Sequence, residues 1–395
     1  MDRVHGHGGA WRCARRSRCQ SWRWTSMSSG HRGSIDYPFL LLSILLIAVG
    51  LFMIASAGGP SGYAEFGDAY YSLKHQLIFG FLPGIAAIIF FSRLPYQWWR
   101  KWAWELLLVS IVLLVLVFIP GIGSEFGTSR SWISIGGSFS IQPSEIVKLT
   151  FLFYLAAWLE RRGSGVKDVS AGLVPFVTVL GVIMMLMILQ PDVGTMMVIA
   201  LMSLAVYFVA GAPWSHLSML CSGGMILLAV LIATASYRLE RFTAFLNPER
   251  DPLGIGYHIN QALIAIGSGG FFGLGYGHSV QKFQYLPEAV SDSIFAVMAE
   301  ELGFFFSVPL IFLFALLFWR GLKIAARTKD GFGRYLVIGI VTWITFQAFI
   351  NIGSMLGVMP MTGVPLPLVS YGGTSLAITM GAIGVVLNVS RYAKL

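Results

Sequence analysis

The sequence predicts an all-α, polytopic membrane protein of about ten transmembrane helices, with a large structured extracytoplasmic loop between spans seven and eight. Three observations predict it. Of 395 residues, 56% are hydrophobic and only 11% are charged, whereas a soluble domain carries about a quarter charged residues. Uncharged apolar runs long enough to cross a bilayer recur along the chain. Basic residues collect in alternate connections between those runs.

Expected spans run over 38–57, 75–92, 105–119, 145–159, 169–189, 193–210, 216–237 and 302–319. The uncharged run 335–390 is too long for one helix, and Pro360, Pro365 and Pro367 divide it into two. Arg93, Arg100 and Lys101, then Arg161, Arg162 and Lys167, then Arg320, Lys323, Arg327, Lys329 and Arg334 occupy alternate loops, which orients those loops and both termini to the cytoplasm. The segments 58–74, 121–144, 238–301 and 357–369 then face outward. The net charge of +9 is explained by these loops, so nucleic acid is not an expected partner and membrane lipid is. Cys13, Cys19 and Cys221 give no paired framework for disulfides or zinc. Residues 1–34 read as a basic, unstructured tail without the apolar core of a signal peptide, with Met27 as an alternative start; residues 35–395 form the transmembrane domain.

Chemistry is expected on the outward side. The loop 238–301 is far longer than a helix connection requires, and long structured loops are usually functional. Its glycines between Gly267 and Gly277 lack the preceding strand and the following Lys-Ser/Thr of a nucleotide loop. Pro287 and Ser291 set up a helix expected to run on into span eight, with Asp292 near its N-terminus. The helix dipole would favour the charged carboxylate there and burial would oppose it, and the residues alone leave both open. In span four, Glu145 and Lys148 share one helical face just after Gln142, either as a functional pair or as a mutually neutralising structural one. Arg130 and Trp132 sit in the second outward segment as a candidate phosphate contact and an interfacial anchor. Helix is broken repeatedly between Asn351 and Ser375, and irregular backbone at membrane depth must be buried or line a cavity.

Several stretches resemble one family in their order along the chain. They are Gln142-Pro-Ser-Glu145 with Lys148, Gln190-Pro-Asp192-Val-Gly-Thr195, Asp251-Pro-Leu-Gly254 with Gly256-Tyr257-His258, Ala265-Ile-Gly-Ser-Gly-Gly270, Phe295-Ala with Glu300-Glu-Leu-Gly303, and Gly363-Val-Pro-Leu-Pro-Leu-Val-Ser370-Tyr371-Gly372-Gly373-Thr374-Ser375 after Asn351-Ile-Gly. Together they resemble the shape, elongation, division and sporulation (SEDS) family. The resemblance implies a glycosyltransferase of the bacterial inner membrane that polymerises lipid II into glycan strands, working with a class B penicillin-binding protein transpeptidase. It places the family's essential acid on Asp292 and its polar span-four positions on Glu145 and Lys148.

Such a reaction needs a base for the acceptor hydroxyl, for which Asp292 is the candidate, and cations for the departing pyrophosphate. Lys148, Arg130, Arg241, Arg250 and Lys282 are the candidate cations, and Gln142, Glu145, Ser370, Gly372 and Gly373 the further substrate-binding candidates. No resident metal or cofactor is assigned, with a divalent cation left open. The family usually carries a hydroxylated or imidazole residue before the acid and an aromatic after it; here Val290-Ser291 precede Asp292 and Ser293 follows, so the aromatic is missing. The chain's ending leans to the division and sporulation (FtsW-like) branch rather than the elongation (RodA-like) one. The competing expectations are a lipid II transporter, whose ionisable groups belong near the midplane, and a non-catalytic division scaffold.

Overall fold

The computed structural model describes residues 33–393 apart from 122, 127–128, 135–139, 248–253 and 255, and leaves out the side chains of 124–126, 129–130 and 237. The expected tail therefore lies outside the described residues up to residue 32. The described helices are α1 (Tyr37–Ala57), α2 (Gly59–Phe66), α3 (Tyr71–Gln76), α4 (Leu82–Arg93), α5 (Gln97–Lys101), α6 (Ala103–Leu116), α7 (Pro143–Arg162), α8 (Val174–Leu189), α9 (Val193–Val209), α10 (Trp214–Ala233), α11 (Ser236–Leu246), α12 (Tyr257–Gly269), α13 (Ile294–Leu302), α14 (Phe304–Arg327), α15 (Gly331–Met355) and α16 (Gly373–Ser390). A π-helical turn, Leu77–Phe81, makes α3 and α4 one continuous run.

Aspartates start three of the helices. Asp36, Asp192 and Asp330 accept the backbone N–H of Phe39, Thr195 and Gly333, each at 3.0 Å, satisfying donors that would otherwise be left free. Among the described residues, seven runs are long and apolar enough to cross a bilayer, and the apolar helices α6 and α9 are shorter. Burial separates their places. In α15 and α16, 83% and 78% of the spanning window is buried, against 11% in α10, so the first two form the centre of the bundle and α10 presents apolar side chains outward to lipid. Small residues let helices meet closely, as where a Cβ on Gly384 of α16 would come 2.9 Å from Ile88 O of α4.

Two features differ from the expectations. The outward segment after α6 adds strands to a fold expected to be all-α: β1 (Gly123–Phe126), β2 (Ser129–Ser134) and β3 (Ser140–Ile141) form a three-stranded antiparallel sheet in that order, pairing Gly123 with Ile133 and Ile133 with Ile141. In addition, no helix runs on from Pro287 into span eight. Residues 281–293 are turns, α13 begins only at Ile294, and Gly303 (φ 73°) separates it from α14. At that break Gly303 lies against Gly273, and a Cβ at either position would overlap backbone of the other segment.

The ends of the bundle differ in charge. At the end where α4, α7 and α14 finish, Arg100 reaches Glu160 at 3.0 Å and Asp330 at 3.9 Å, Arg320 reaches Asp36 at 2.8 Å, and Gly33 N–H donates to Arg391 O at 3.0 Å. The end where α15 finishes and α16 starts carries the candidate site.

Candidate functional site

Asp292 closes a tight turn that begins at Pro287. Ser291 and Ser293 N–H both donate to Glu288 O, at 3.2 and 3.0 Å, and Glu288 itself takes a left-handed backbone (φ 48°) to allow it. Neighbouring elements grip this turn by its backbone. Asn351 near the end of α15 donates from Nδ2 to Asp292 O at 2.7 Å and to Val364 O at 2.8 Å. From the bend before α16, Ser370 donates its hydroxyl to Ser291 O, and Tyr371 N–H donates to Val290 O at 3.0 Å. Gly363, with φ 67°, passes so close that a Cβ there would sit 3.4 Å from Asp292 Oδ2.

The backbone of Asp292 is thus heavily held, while its carboxylate takes no hydrogen bond or ion pair from the described residues. Burial pushes this carboxyl up to about 7, the charges of Glu288 and Asp192 add to the rise, and Arg241 on the amphipathic α11 opposes it. Some of its surface remains open. The dipole argument therefore loses to desolvation, and the outcome is a bare acid poised to exchange a proton near neutrality.

Deeper in the bundle, Lys148 and Glu145 form a fully buried pair at 2.7 Å on α7. Lys148 also donates to Gln347 Oε1 at 2.8 Å and stands 4.7 Å over the Trp343 ring. Gln347 in turn accepts from Trp343 Nε1 and donates to Pro365 O, so the pair is built into α15. Glu145 Oε2 has no partner among the described residues, an exception that a buried carboxylate oxygen rarely makes. Gln142 and Ser144 donate to Asp192 Oδ2 at 3.4 and 3.2 Å, which links this cluster to the start of α9.

The other expected contacts separate. Arg241 is exposed and electrostatically felt by both Asp292 and His258. Lys282 is buried, and it donates to Glu301 Oε1 (2.8 Å), Gly277 O (2.8 Å) and Ser56 Oγ (2.9 Å), so its three protons are committed to joining the outer loop to α1. It lines a cavity of about 680 Å³ with Tyr63, Tyr70, Tyr276 and Phe283, of which Asp292 is not a lining residue. Ser370 and Gly372 are framework as well: Gln76 donates to Ser370 O at 3.3 Å and accepts Gly372 N–H at 2.9 Å. Gly373 opens α16, where a Cβ would lie 3.0 Å from Phe79 O. The backbone of Arg130 lies in β2 and its side chain outside the described residues, as does all of Arg250.

Asp192 and Asn351 lie inside the motifs quoted above but carried no assigned role there, and Gln347, Glu288 and His258 carried none either. Glu288 lies in the same turn as Asp292, but the other four reach their partners across 35 to 199 residues of chain, and no spacing within the sequence signals it.

Comparison with known proteins bears on the whole chain. A family described as "Cell cycle protein", uniting FtsW, RodA and SpoVE, matches residues 37–395. Stage V sporulation protein E of Bacillus subtilis (strain 168) is 41% identical over 361 residues, covering 91% of this chain and 98% of its own. A probable peptidoglycan glycosyltransferase FtsW of Trichlorobacter lovleyi is 40% identical over 363 residues, covering 91% and 94%. In a solved peptidoglycan synthase complex, described as coordinating polymerization and crosslinking, one chain superposes with a TM-score of 0.74 at 31% identity, covering 90% of this chain and 98% of that one. The rod shape determining protein RodA of Thermus thermophilus gives 0.66 at 28% identity, covering 90% and 97%. Helix arrangement, motif order and these matches agree that this multi-pass membrane protein belongs to the SEDS family of FtsW, RodA and SpoVE.

Proposed function

We propose that this protein is a peptidoglycan glycosyltransferase that joins lipid II units into glycan strands, with Asp292 as the general base. The observation that carries the reading is the Asp292 carboxylate, which has no hydrogen bond or ion pair among the described residues, is fixed by its backbone at the mouth of the bundle and is raised to about 7. Relatives named as peptidoglycan glycosyltransferases support the activity, and the synthase complex supports a class B penicillin-binding protein as partner.

In the proposed step, Asp292 takes the proton of the acceptor sugar hydroxyl as its oxygen bonds to the anomeric carbon of the donor. The bond from that carbon to the lipid pyrophosphate breaks on the opposite face, and the pyrophosphate leaves with the electron pair. A single displacement inverts the centre, so one carboxylate suffices. Arg241, exposed beside Asp292, is the cation for the developing pyrophosphate charge. The buried Lys148–Glu145 pair shapes the floor of the site, with Gln142 and Ser370 as framework. The basic end of the bundle is assigned to the cytoplasm and the Asp292 end to the outer face of the bacterial inner membrane, with both ends of the 35–395 domain cytoplasmic.

The test uses the purified protein with its transpeptidase partner, supplied with labelled lipid II and scored for glycan strands. Wild type polymerises and Asp292→Asn does not; polymer from the Asn variant removes the base assignment. A transport reading draws on one observation, the ionisable pair at membrane depth with its orphaned Glu145 oxygen. It predicts lipid II translocation in vesicles without any polymer, and that result would displace the enzymatic reading.

A further inference from the structure

The residue after Asp292 departs from the family pattern, and its contacts show what stands in for the usual aromatic. Ser293 is fully buried. Its hydroxyl donates to Pro287 O at 2.9 Å, across the mouth of the turn that carries Asp292. The same oxygen lies 2.7 Å from His258 Nε2. A hydroxyl whose one proton is committed can only accept, so His258 holds its hydrogen on Nε2 and donates it to Ser293. The tautomer follows from the chemistry of the partner.

The imidazole is suited to a fixed role. Burial, reinforced by the charge of Arg241, holds His258 down to about 4, so the ring is neutral wherever Asp292 is able to ionise. His258 stands in the first turn of α12, and α12 packs along α13, the helix that starts directly after Ser293. The chain of contacts therefore runs from α12 through His258 Nε2–H to Ser293 Oγ and on to Pro287 O, closing both ends of the turn at once.

We infer that His258 is a positioning residue, which by donating to Ser293 clamps the 287–293 turn and so fixes the direction in which Asp292 presents its carboxylate. The inference rests on reading Asp292 as the base. Asn351 and Ser370 hold Asp292 and Ser291 by their carbonyls; His258 adds a separate grip through the Ser293 hydroxyl. Without it the turn keeps its anchors but gains freedom about them, and loss of alignment by about 1 Å at a reacting group can cost on the order of a hundredfold in rate.

The test compares three variants in the reconstituted complex, reading kcat, KM for lipid II and thermal stability. His258→Phe keeps the ring without the donor, His258→Gln keeps an N–H able to reach the same oxygen, and Ser293→Ala removes the acceptor. His258→Phe is expected to lower kcat about tenfold to a hundredfold with KM changed by less than about twofold, and His258→Gln to recover most of that loss. The double variant His258→Phe with Ser293→Ala should be no worse than the poorer single one, because both break the same contact. If His258→Phe does not fold, Ser293→Ala alone carries the same expectation. Wild-type kcat in His258→Phe or Ser293→Ala, or a Gln variant no better than Phe, overturns the clamp. Asp292→Asn is run beside them: activity there removes the base reading, whereas an inactive Asn variant with an active Phe variant removes the clamp alone.

Discussion

In the folded protein the Asp292 carboxyl keeps its proton up to about 7, whereas in the unfolded chain it loses it near the ordinary 3.8. Between those values the unfolded state binds fewer protons than the folded one, so the stability this group contributes is complete below about 4 and is lost as pH rises to 7. At about 1.36 kcal/mol per pH unit the interval amounts to about 4 kcal/mol, an upper figure because part of the side chain meets solvent. Asp292→Asn, which cannot ionise, escapes the loss. Its melting temperature in nanodiscs should match wild type at pH 4 and exceed it by several degrees at pH 8, while polymerisation disappears. Wild-type polymerisation should in turn rise about tenfold from pH 6 to pH 8 as the base ionises, with Glu288, Asp192 and Arg241 the charged neighbours that set the midpoint. A melting difference that does not vary with pH would refute the desolvation of Asp292, and a flat pH–rate profile would refute its role as the ionised base.

Other perturbations follow from named contacts. Lys148→Met and Glu145→Gln each strand a buried partner and should cost about 3–5 kcal/mol, while the double replacement should cost distinctly less than their sum, read by a double-mutant cycle on thermal stability. Asn351→Leu leaves Asp292 O and Val364 O unpaired, which at about 1–3 kcal/mol for each buried acceptor should lower stability and polymerisation together. Gly363→Ala forces a side chain into a left-handed residue beside Asp292 Oδ2, so kcat should fall more than stability does, with KM as the comparison.

Much of this architecture could be read before any coordinates, for reasons that are local. The apolar runs and their basic connections depend on composition alone, and α8 lies over Val174–Leu189 inside the expected 169–189. The Glu145–Lys148 pair could be named because charge is expensive among apolar residues, whereas Asp292 is named by the family resemblance, its own neighbours suiting an ordinary helix cap equally well. The strands β1 to β3 could not be named, since they are short and serine-rich and lack the alternation that marks a strand. Nor could the break at Gly303, where a glycine inside an apolar run leaves helix continuation and interruption equally open until the opposing chain is known. Lys282 has the same difficulty in reverse. A lysine in an outward loop suggests an exposed cation, and only the distant Glu301 and Ser56 reveal a neutralised one.

The crossing of Gly303 over Gly273 places two main chains in contact with nothing between them. Because the obstruction is backbone on both sides, no rotamer change relieves it, and an alanine at one position is not rescued by any residue at the other. Thickening this crossing would demand a coordinated shift of the whole segment that leads to the acid. Natural drift and directed evolution alike should therefore find these two sites immovable.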